Sequence, residues 1–450
     1  MTAQLQVSES AKNVSLYSRK TTLFKPSFSS AFSRCVEIAV FFYLATLAIV
    51  PDVYGYVPAL LLLAALVTLR VSEIARSMDR KDWLFISGFL GYSAVFLLLI
   101  SLHQDGLSSF DRPSRFVAAS IILTMLLRVR ISATAVFTGA ALGAVCSGLF
   151  AIYKVFSFGV ARVSSFDNAI YFGNGALILA LVSLAGLFAE FQRDARRGWL
   201  LLLYAIGTGG GLLSLLLSGT RDKWLALPVI ALVGLWCYRG LLFRRPMLLA
   251  SALVVVAILG TAAANTKIVS DRVGVAMSEA QEYFTEERVG TSVGLRLEMW
   301  KAGALMFSSH PLVGVGEKEF YAELQALVES GQIDRGLLTF RHLHNQFVDH
   351  AAKGGLLAIL ALLLVFGIPG VLFWRYLSST DPIIKSCAFA GVAFTLSFVV
   401  FCLTQGMFSR NLGVMMFVVL PVFLWAIIRQ VEGKAADGQP SDFVAVRRLD

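Results

Sequence analysis

The chain has 450 residues, of which 57% are hydrophobic and only 15% are charged, and its formal net charge is +10. This composition excludes an ordinary soluble domain, which needs a larger share of polar surface. The basic residues are concentrated in short segments between apolar runs, as in a membrane topology signal, so nucleic-acid binding is not implied.

Apolar runs of about 20 residues recur along the whole chain and predict a polytopic all-α membrane protein with about 12 transmembrane helices. Sustained strand-like alternation is missing from the sequence, which argues against a β-barrel. The predicted spans are 33–50, 56–70, 83–102, 115–128, 131–152, 169–190, 199–217, 223–238, 247–264, 350–374, 384–403 and 411–428.

The basic residues of the short loops fall mainly on one side of the membrane, which predicts that both termini are cytoplasmic. The chain is then divided into five parts. These are an N-terminal tail (1–31), transmembrane helices 1–9 (32–264), a large outer loop domain (265–349), transmembrane helices 10–12 (350–429) and a C-terminal tail (430–450).

The outer loop domain is itself predicted to be helical. Charge and apolar spacing indicate helices over 270–288, 295–307 and 317–330. Gly314 and Gly316 lie between the last two helices. They are expected to be turn glycines rather than phosphate-binding ones, because no nucleotide-binding signature follows a strand there.

A histidine-rich sequence closes the loop domain, Arg341-His342-Leu343-His344-Asn345-Gln346, and an apolar run of membrane-spanning length follows almost at once. Asn345 is expected to cap the helix formed by that run. Imidazole is the side chain whose proton affinity lies nearest neutral pH. An imidazole beside arginines at the mouth of a membrane helix suits chemistry on a lipid-linked anionic substrate. All five histidines are predicted on the outer face, at His103, His310, His342, His344 and His350.

Four short motifs together resemble the O-antigen ligase and polymerase superfamily. They are Leu217-Ser218-Gly219-Thr220-Arg221, Arg296-Leu297-Glu298-Met299-Trp300, His310-Pro311-Leu312-Val313-Gly314-Val315-Gly316, and His344-Asn345 with Gly355 eleven positions beyond His344. The resemblance implies a chain in the bacterial inner membrane with a periplasmic loop domain. It also implies transfer of O-antigen glycan from undecaprenyl pyrophosphate to the lipid A–core oligosaccharide. The expected partners are therefore this donor, this acceptor and membrane lipids.

The resemblance assigns His344 the role of catalytic base and assigns Arg221 and Arg296 the binding of the pyrophosphate. A guanidinium stays charged and offers two parallel hydrogen bonds to a phosphate. The positive end of the helix dipole disfavours an imidazolium at His344, so the neutral ring can accept a proton. Weaker candidates for the same basic region are Arg162, Lys223, Arg341, Arg410 and His342. His342 and His350 are expected to tolerate substitution better than His344.

Each principal candidate also has a simpler interpretation from the residues alone. Arg221 can be a helix-end cation that extends towards the interface, and Arg296 can be an exposed residue stacked on Trp300. His344 can be a polar loop residue hydrogen-bonded at a helix start.

The sequence predicts neither a metal nor another cofactor. Metal-dependent lipid-linked oligosaccharide transferases use acidic metal ligands in their first outer loop. Here that loop (51–56) contains a single acidic residue, Asp52. The metal alternative rests on His342, His344, Asp349 and His350.

Three functions remain open at this stage. The first is an O-antigen ligase, and the second is a related polymerase or protein O-oligosaccharyltransferase that uses the same donor. The third is a transporter of a lipid-linked anion. The transporter is disfavoured because the predicted spans are almost free of charge and show no inverted repeat.

Overall fold

The structure is a computed structural model that describes residues 28–243, 267–286 and 289–436. Within these ranges the chain forms helices joined by short connections, and no β-strand occurs among them. The predicted all-α class is therefore confirmed. The helices of the first half are α1 (Ser30–Thr46), α2 (Val53–Val67), α3 (Val71–Ser77), α4 (Arg80–His103), α5 (Asp111–Leu126), α6 (Ala133–Phe158), α7 (Ala169–Phe191), α8 (Gly198–Leu217) and α9 (Ala226–Phe243).

The second half contains the loop-domain helices and three long helices. Its helices are α10 (Lys267–Glu286), α11 (Ser292–Ser309), α12 (Gly316–Glu329), α13 (Gln346–Tyr376), α14 (Pro382–Thr404) and α15 (Asn411–Ala436). Short 3₁₀ helices lie at Leu107–Phe110, Arg221–Leu225, Arg335–Thr339 and Met407–Ser409. The three helices predicted in the loop domain are thus present as α10, α11 and α12.

In the part of the chain that the structure describes, eight helices are long and apolar enough to cross a membrane, namely α4, α6, α7, α8, α9, α13, α14 and α15. The predicted spans 33–50, 56–70 and 115–128 correspond to α1, α2 and α5, which have 17, 15 and 16 residues. Helices of that length reach only about 25 Å, less than a bilayer core of about 30 Å. The span predicted at 247–264 lies outside the described residues, so twelve spans remain a prediction.

Small residues let α6, α7 and α8 pack closely. Gly148 of α6 faces Gly210 of α8, and a Cβ atom on Gly210 would come within 2.9 Å of the Ala144 carbonyl oxygen. Membrane helices associate through such close backbone contacts, because lipid provides little hydrophobic driving force between them. α15 is almost completely buried and packs against α5 and α14, so it forms the centre of the bundle.

The loop domain has a small apolar core of its own. Met299 and Met306 of α11 pack with Phe320 and Leu324 of α12 and with Leu343. α11 and α12 also contact α13, and α12 contacts α4. The loop domain therefore rests directly on the end of the bundle where α13 begins. We call this end the loop end.

Candidate active site at the start of α13

His344 lies two residues before α13 and directly before the residue that caps the helix. Asn345 is the N-cap, and its side-chain oxygen accepts hydrogen bonds from the N–H groups of Phe347 (2.9 Å) and Val348 (3.3 Å). These N–H groups have no partner within the helix, which is why Asn is favoured there. The predicted cap is confirmed. His344 itself has a φ of +49°, in the left-handed region that non-glycine residues rarely adopt.

The imidazole of His344 is half-buried and contacts Gln405, which lies 61 positions later in the chain. Its Nδ1 lies 3.0 Å from Oε1 of Gln405, which is 4% exposed and follows the end of α14. Because an amide oxygen can only accept, Nδ1 carries the hydrogen and donates it. In the neutral ring, Nε2 is then the atom that can take a proton.

Sequence reasoning missed Gln405. It lies 61 positions after His344, in a short connection between two apolar helices. A polar Thr404-Gln405 pair at the end of an apolar run is the only local signal. No periodicity or motif links it to the histidine.

The surroundings of His344 favour its neutral form. Burial lowers the pKa of His344 below its usual value, the hydrogen bond with Gln405 acts in the opposite direction, and the charge of Arg296 lowers it further. The lowered pKa agrees with the direction predicted from the sequence. Its largest cause is burial, however, and not the helix dipole on which that prediction rested. A neutral imidazole at neutral pH is what a general base requires.

His342 supports His344 from the preceding turn. The two ring centroids are 4.3 Å apart, and the backbone N–H of His344 donates to Nδ1 of His342 (3.3 Å). Burial, followed by the charge of His344, lowers the pKa of His342 to about 4. The ring of His342 is thus neutral and acts as an acceptor for the backbone of its neighbour.

His350 has a different environment from the one expected. It is buried, with Nε2 3.0 Å from the hydroxyl of Tyr92 and Nδ1 2.8 Å from Nε2 of Gln346. Since the Gln346 amide nitrogen only donates, Nδ1 accepts and Nε2 donates to Tyr92. These bonds join α13 to α4, so we now expect substitution of His350 to disturb packing, rather than to be well tolerated.

The residues of the metal alternative do not converge on one point. Asp349 accepts the N–H of Leu343 (3.1 Å) and both ring nitrogens of His350 are engaged within the protein. Among residues 28–243, 267–286 and 289–436, no three His, Cys, Asp or Glu side chains are arranged to hold one metal ion. The metal-independent mechanism remains a prediction.

A break in the hydrogen bonding of α13 lets the loop domain bind to this helix through its backbone. Gly355 has φ +60° and ψ −153°, which interrupts the helical hydrogen bonds. The freed N–H groups of Leu356 and Leu357 donate instead to the carbonyl oxygens of Pro311 (2.8 Å) and Leu312 (3.2 Å). The backbone of the 310–316 motif thus fills the gap in the helix.

Glycine is required on both sides of this contact. Gly314 has φ +66°, and a Cβ atom there would overlap the backbone of Gly354. Gly316 has φ +81° and lies against the ring of His103. Both glycines have the positive φ expected of turn residues, although Gly316 is already the first residue of α12. Gly314 lets two backbones touch, and Gly316 leaves room for the His103 side chain. The motif glycines at 314, 316 and 355 therefore let the 310–316 segment pack directly on α13 and on His103 of α4.

The principal arginines lie on two different elements. Arg296 is exposed on α11 and is close enough to His344 for its charge to act on that imidazole. Arg221 begins the 3₁₀ helix Arg221–Leu225, directly after the Leu217–Thr220 part of its motif. The electrostatic effect of Arg296 on His344 is the link that the structure describes between two of the principal candidates.

The weaker candidates differ in exposure. Arg410 is mostly exposed, 3.4 Å from Asp167, and its charge acts on His342. Arg162 donates through Nε to the Ser218 carbonyl oxygen (3.1 Å) and so lies beside the Arg221 motif. Exposed Arg341 lies over a tyrosine ring, with its guanidinium 5.0 Å from the ring centre.

Lys223 departs from the expectation of an interfacial cation. It is completely buried, and its ammonium group donates to the hydroxyl of Thr404 and to the carbonyl oxygen of Phe401 (3.5 Å) at the end of α14. A cation there neutralises the negative end of the helix dipole. Lys223 therefore fixes the 3₁₀ helix that starts at Arg221 to the residue before Gln405.

A lateral groove of about 460 Å³ opens between α2, α5 and α15. Its polar residues include Tyr54, Arg115 and Asn411, and Asn411 directly follows Arg410. Apolar walls with a few polar groups are typical of sites that hold a lipid or another largely apolar molecule. The apolar residues of the wall include Pro58, Ala59, Leu62, Ile122, Met415, Val418 and Val419.

Comparisons with known proteins point to one family. The O-antigen ligase family model matches residues 206–363, a range that contains Arg221, Arg296, the 310–316 motif and His344. An uncharacterized protein of Haemophilus influenzae is 24% identical over 382 residues, covering 84% of this chain and 94% of that protein. The O-antigen ligase of Escherichia coli K12 is 26% identical over 235 residues, covering 49% of this chain and 54% of that protein. The resemblance that the motifs predict is thereby confirmed: residues 206–363 match the O-antigen ligase family model, and a relative of that name matches about half of the chain.

Proposed function

We propose that the protein transfers an O-antigen glycan from undecaprenyl pyrophosphate to a sugar hydroxyl of the lipid A–core oligosaccharide. The family supports lipid-linked glycan transfer in general. The observation that carries the specific proposal is the pair of His344 and Gln405, with a neutral imidazole held beside Arg296. The proposed setting is the bacterial inner membrane, with both termini cytoplasmic and the loop end periplasmic.

The proposed reaction is a single displacement. Nε2 of His344 takes the proton from the acceptor hydroxyl, and the hydroxyl oxygen forms a bond with the anomeric carbon of the donor glycan. The bond between that carbon and the pyrophosphate oxygen breaks, with inversion at the carbon. The pyrophosphate keeps the electron pair, and the imidazolium later releases its proton to water. Gln405 keeps the ring in the tautomer that has Nε2 unprotonated.

Arg221 and Arg296 stabilise the leaving pyrophosphate in this mechanism. Negative charge increases on the pyrophosphate as the bond breaks, and fixed guanidinium groups stabilise that charge without reorganisation. Arg410, Arg162 and Arg341 extend the basic region around them. The chemistry then needs neither a metal nor a cofactor.

The proposed alternatives are a polymerase and a protein O-oligosaccharyltransferase, which use the same type of donor. The catalytic residues do not distinguish these functions, because the donor chemistry is the same. The similarity to the O-antigen ligase of E. coli favours the ligase.

The test is transfer by purified protein with a defined undecaprenyl-pyrophosphate glycan and three separate acceptors. We expect glycan to appear on lipid A–core, and not on a second donor molecule or on a periplasmic protein. Lengthened donor would identify a polymerase, and glycosylated protein would identify an oligosaccharyltransferase. Full activity in excess chelator is expected. Loss of activity that one divalent ion restores would overturn the metal-independent mechanism.

A further inference from the structure

The residues 341–344 that carry His344 have no regular secondary structure, and they end in an unfavourable backbone conformation. The φ of +49° at His344 is unfavourable for a residue with a side chain. Such a conformation persists only where the surroundings impose it. The imidazole direction therefore depends on what holds this segment.

Two buried charged side chains of α13 hold the segment by its backbone. The ammonium group of Lys353 donates to the carbonyl oxygen of Arg341 (3.2 Å). The carboxylate of Asp349 accepts the N–H of Leu343 (3.1 Å) and lies 3.4 Å from the Lys353 ammonium group. Both backbone contacts lie within three residues of His344, and both originate one or two turns into α13.

The same lysine connects this segment to the loop domain. Its ammonium group lies 3.0 Å from a carboxylate oxygen of Glu317 on α12, and Arg112 of α5 lies 3.8 Å from the other oxygen. Burial alone would raise the pKa of Glu317, but the charges of Lys353 and Arg112 hold it below its usual value. The cluster therefore contains two cations and two carboxylates.

The burial of these charged side chains requires an explanation. Lys353 is 8% exposed and Asp349 is 1% exposed. Burying ions is costly unless their contacts are well satisfied, and apolar residues of similar size often stabilise a fold as well or better. Ionisable residues within membrane helices usually serve a function.

We propose that Lys353 and Asp349 are positioning residues for His344, holding the backbone of 341–344 so that the imidazole faces the acceptor hydroxyl. This inference rests on the proposed function, because it concerns the same base. Neither residue touches a reacting atom in this account. Lys353 fixes the start of the segment through a carbonyl, and Asp349 fixes the residue before His344 through an N–H.

The first experiment separates positioning from binding. Lys353→Met should lower kcat by about 10- to 100-fold, the usual effect of displacing a reacting group by about 1 Å. The KM for the donor should stay within about twofold, because the arginines are unchanged. Lys353→Arg keeps the positive charge and should recover part of the loss. A change in donor KM with unchanged kcat would overturn the inference.

The decisive experiment is a double-variant comparison in the full-length protein. In a His344→Ala background, Lys353→Met should cause no further loss, because a positioning residue has nothing left to position. A further loss of tenfold or more, as in the wild-type background, would show that Lys353 acts independently of His344. Residual rates and the amount of folded protein are measured for all four combinations.

A milder variant is needed if Lys353→Met does not yield enough folded protein. Asp349→Asn keeps an oxygen that can accept the Leu343 N–H, but it loses the ionic contact with Lys353. It should lower kcat, again only when His344 is present. If wild-type protein transfers no glycan, the proposed function fails. If wild-type protein is active and the two losses multiply, only this inference fails.

Discussion

Buried charges occur at both ends of the helical bundle, and the two clusters contact different parts of the chain. At the end opposite the loop domain, Arg429 of α15 pairs with Asp82 of α4 (3.0 Å) and also contacts Asp79 and Glu432. The indole of Trp425 donates to the same carboxylate of Asp82 (2.9 Å). Every one of these residues except the capping Asp79 lies within a helix.

At the loop end, the corresponding cluster is formed by Lys353, Asp349, Glu317 and Arg112, and it contacts an irregular segment. The opposite cluster joins only helix to helix, whereas the loop-end cluster joins helices and also holds the few residues that carry His344. Charged residues that bridge helices stabilise the bundle. Charged residues that hold a segment with an unfavourable backbone define a site. The difference predicts that variants at the two ends will separate into loss of rate and loss of stability.

The largest expected effect is at His344 itself. His344→Ala should lower the rate of glycan transfer by about 10²- to 10⁴-fold, which is the usual contribution of a general base. Donor binding should be retained, because the arginines remain. The measurement is the initial rate with a defined donor, together with donor binding. His342→Ala is the matched control and should lose much less. Wild-type rates in His344→Ala, at a normal protein level, would remove the base assignment.

The next largest effects are expected at the two principal arginines. Arg221→Ala or Arg296→Ala should each weaken stabilisation of the pyrophosphate by about 1.5–3 kcal/mol, or roughly 10- to 150-fold in kcat/KM. The Lys variants should recover only part, since an ammonium group lacks the planar fork. Lys301→Ala, on the same helix as Arg296, is the control. If both Lys variants ligate at the wild-type rate, the arginines do not clamp the pyrophosphate.

A smaller effect is expected at Gln405. Gln405→Glu places a carboxylate where the Gln405 amide oxygen now lies 3.0 Å from Nδ1 of His344, so it should stabilise the imidazolium and raise the pKa of His344. Since the base must be neutral, the acidic limb of the pH–rate profile should move to higher pH. Gln332→Glu, an exposed amide of the loop domain, should leave the profile unchanged. An unchanged profile in Gln405→Glu would mean that this contact is absent during turnover.

The smallest effect on rate is expected at the opposite end. Asp82→Asn removes a charge that Arg429 and Trp425 both contact, so it should lower the free energy of unfolding by about 1.5–3 kcal/mol. The kcat of the folded fraction should stay at the wild-type value. The checks are thermal unfolding in detergent and a rate normalised to folded protein. A loss of kcat without a loss of stability would erase the distinction between the two clusters.

The sequence predicted the parts of this structure that depend on local pattern. Long apolar runs predicted the long helices, and the His344-Asn345 pair predicted an imidazole beside a helix cap. Gln405 was missed because its role depends on how α14 packs against the start of α13. The break at Gly355 was missed because a Gly-Gly pair in an apolar run also fits a continuous helix. Lys223 was misplaced because a charge near a helix end can face either the interface or the bundle.

The most direct test of the central claim, that a neutral His344 is the base, is the pH dependence of kcat/KM in wild type and in His344→Ala. Burial lowers the pKa of His344, so the neutral base is present above that lowered value and is lost as the pH falls through it. Wild-type activity should therefore be constant near neutral pH and decrease along an acidic limb centred below 6.5. The same limb should appear in His342→Ala, whereas the residual activity of His344→Ala should lack it. An identical limb in His344→Ala would show that another group takes the proton.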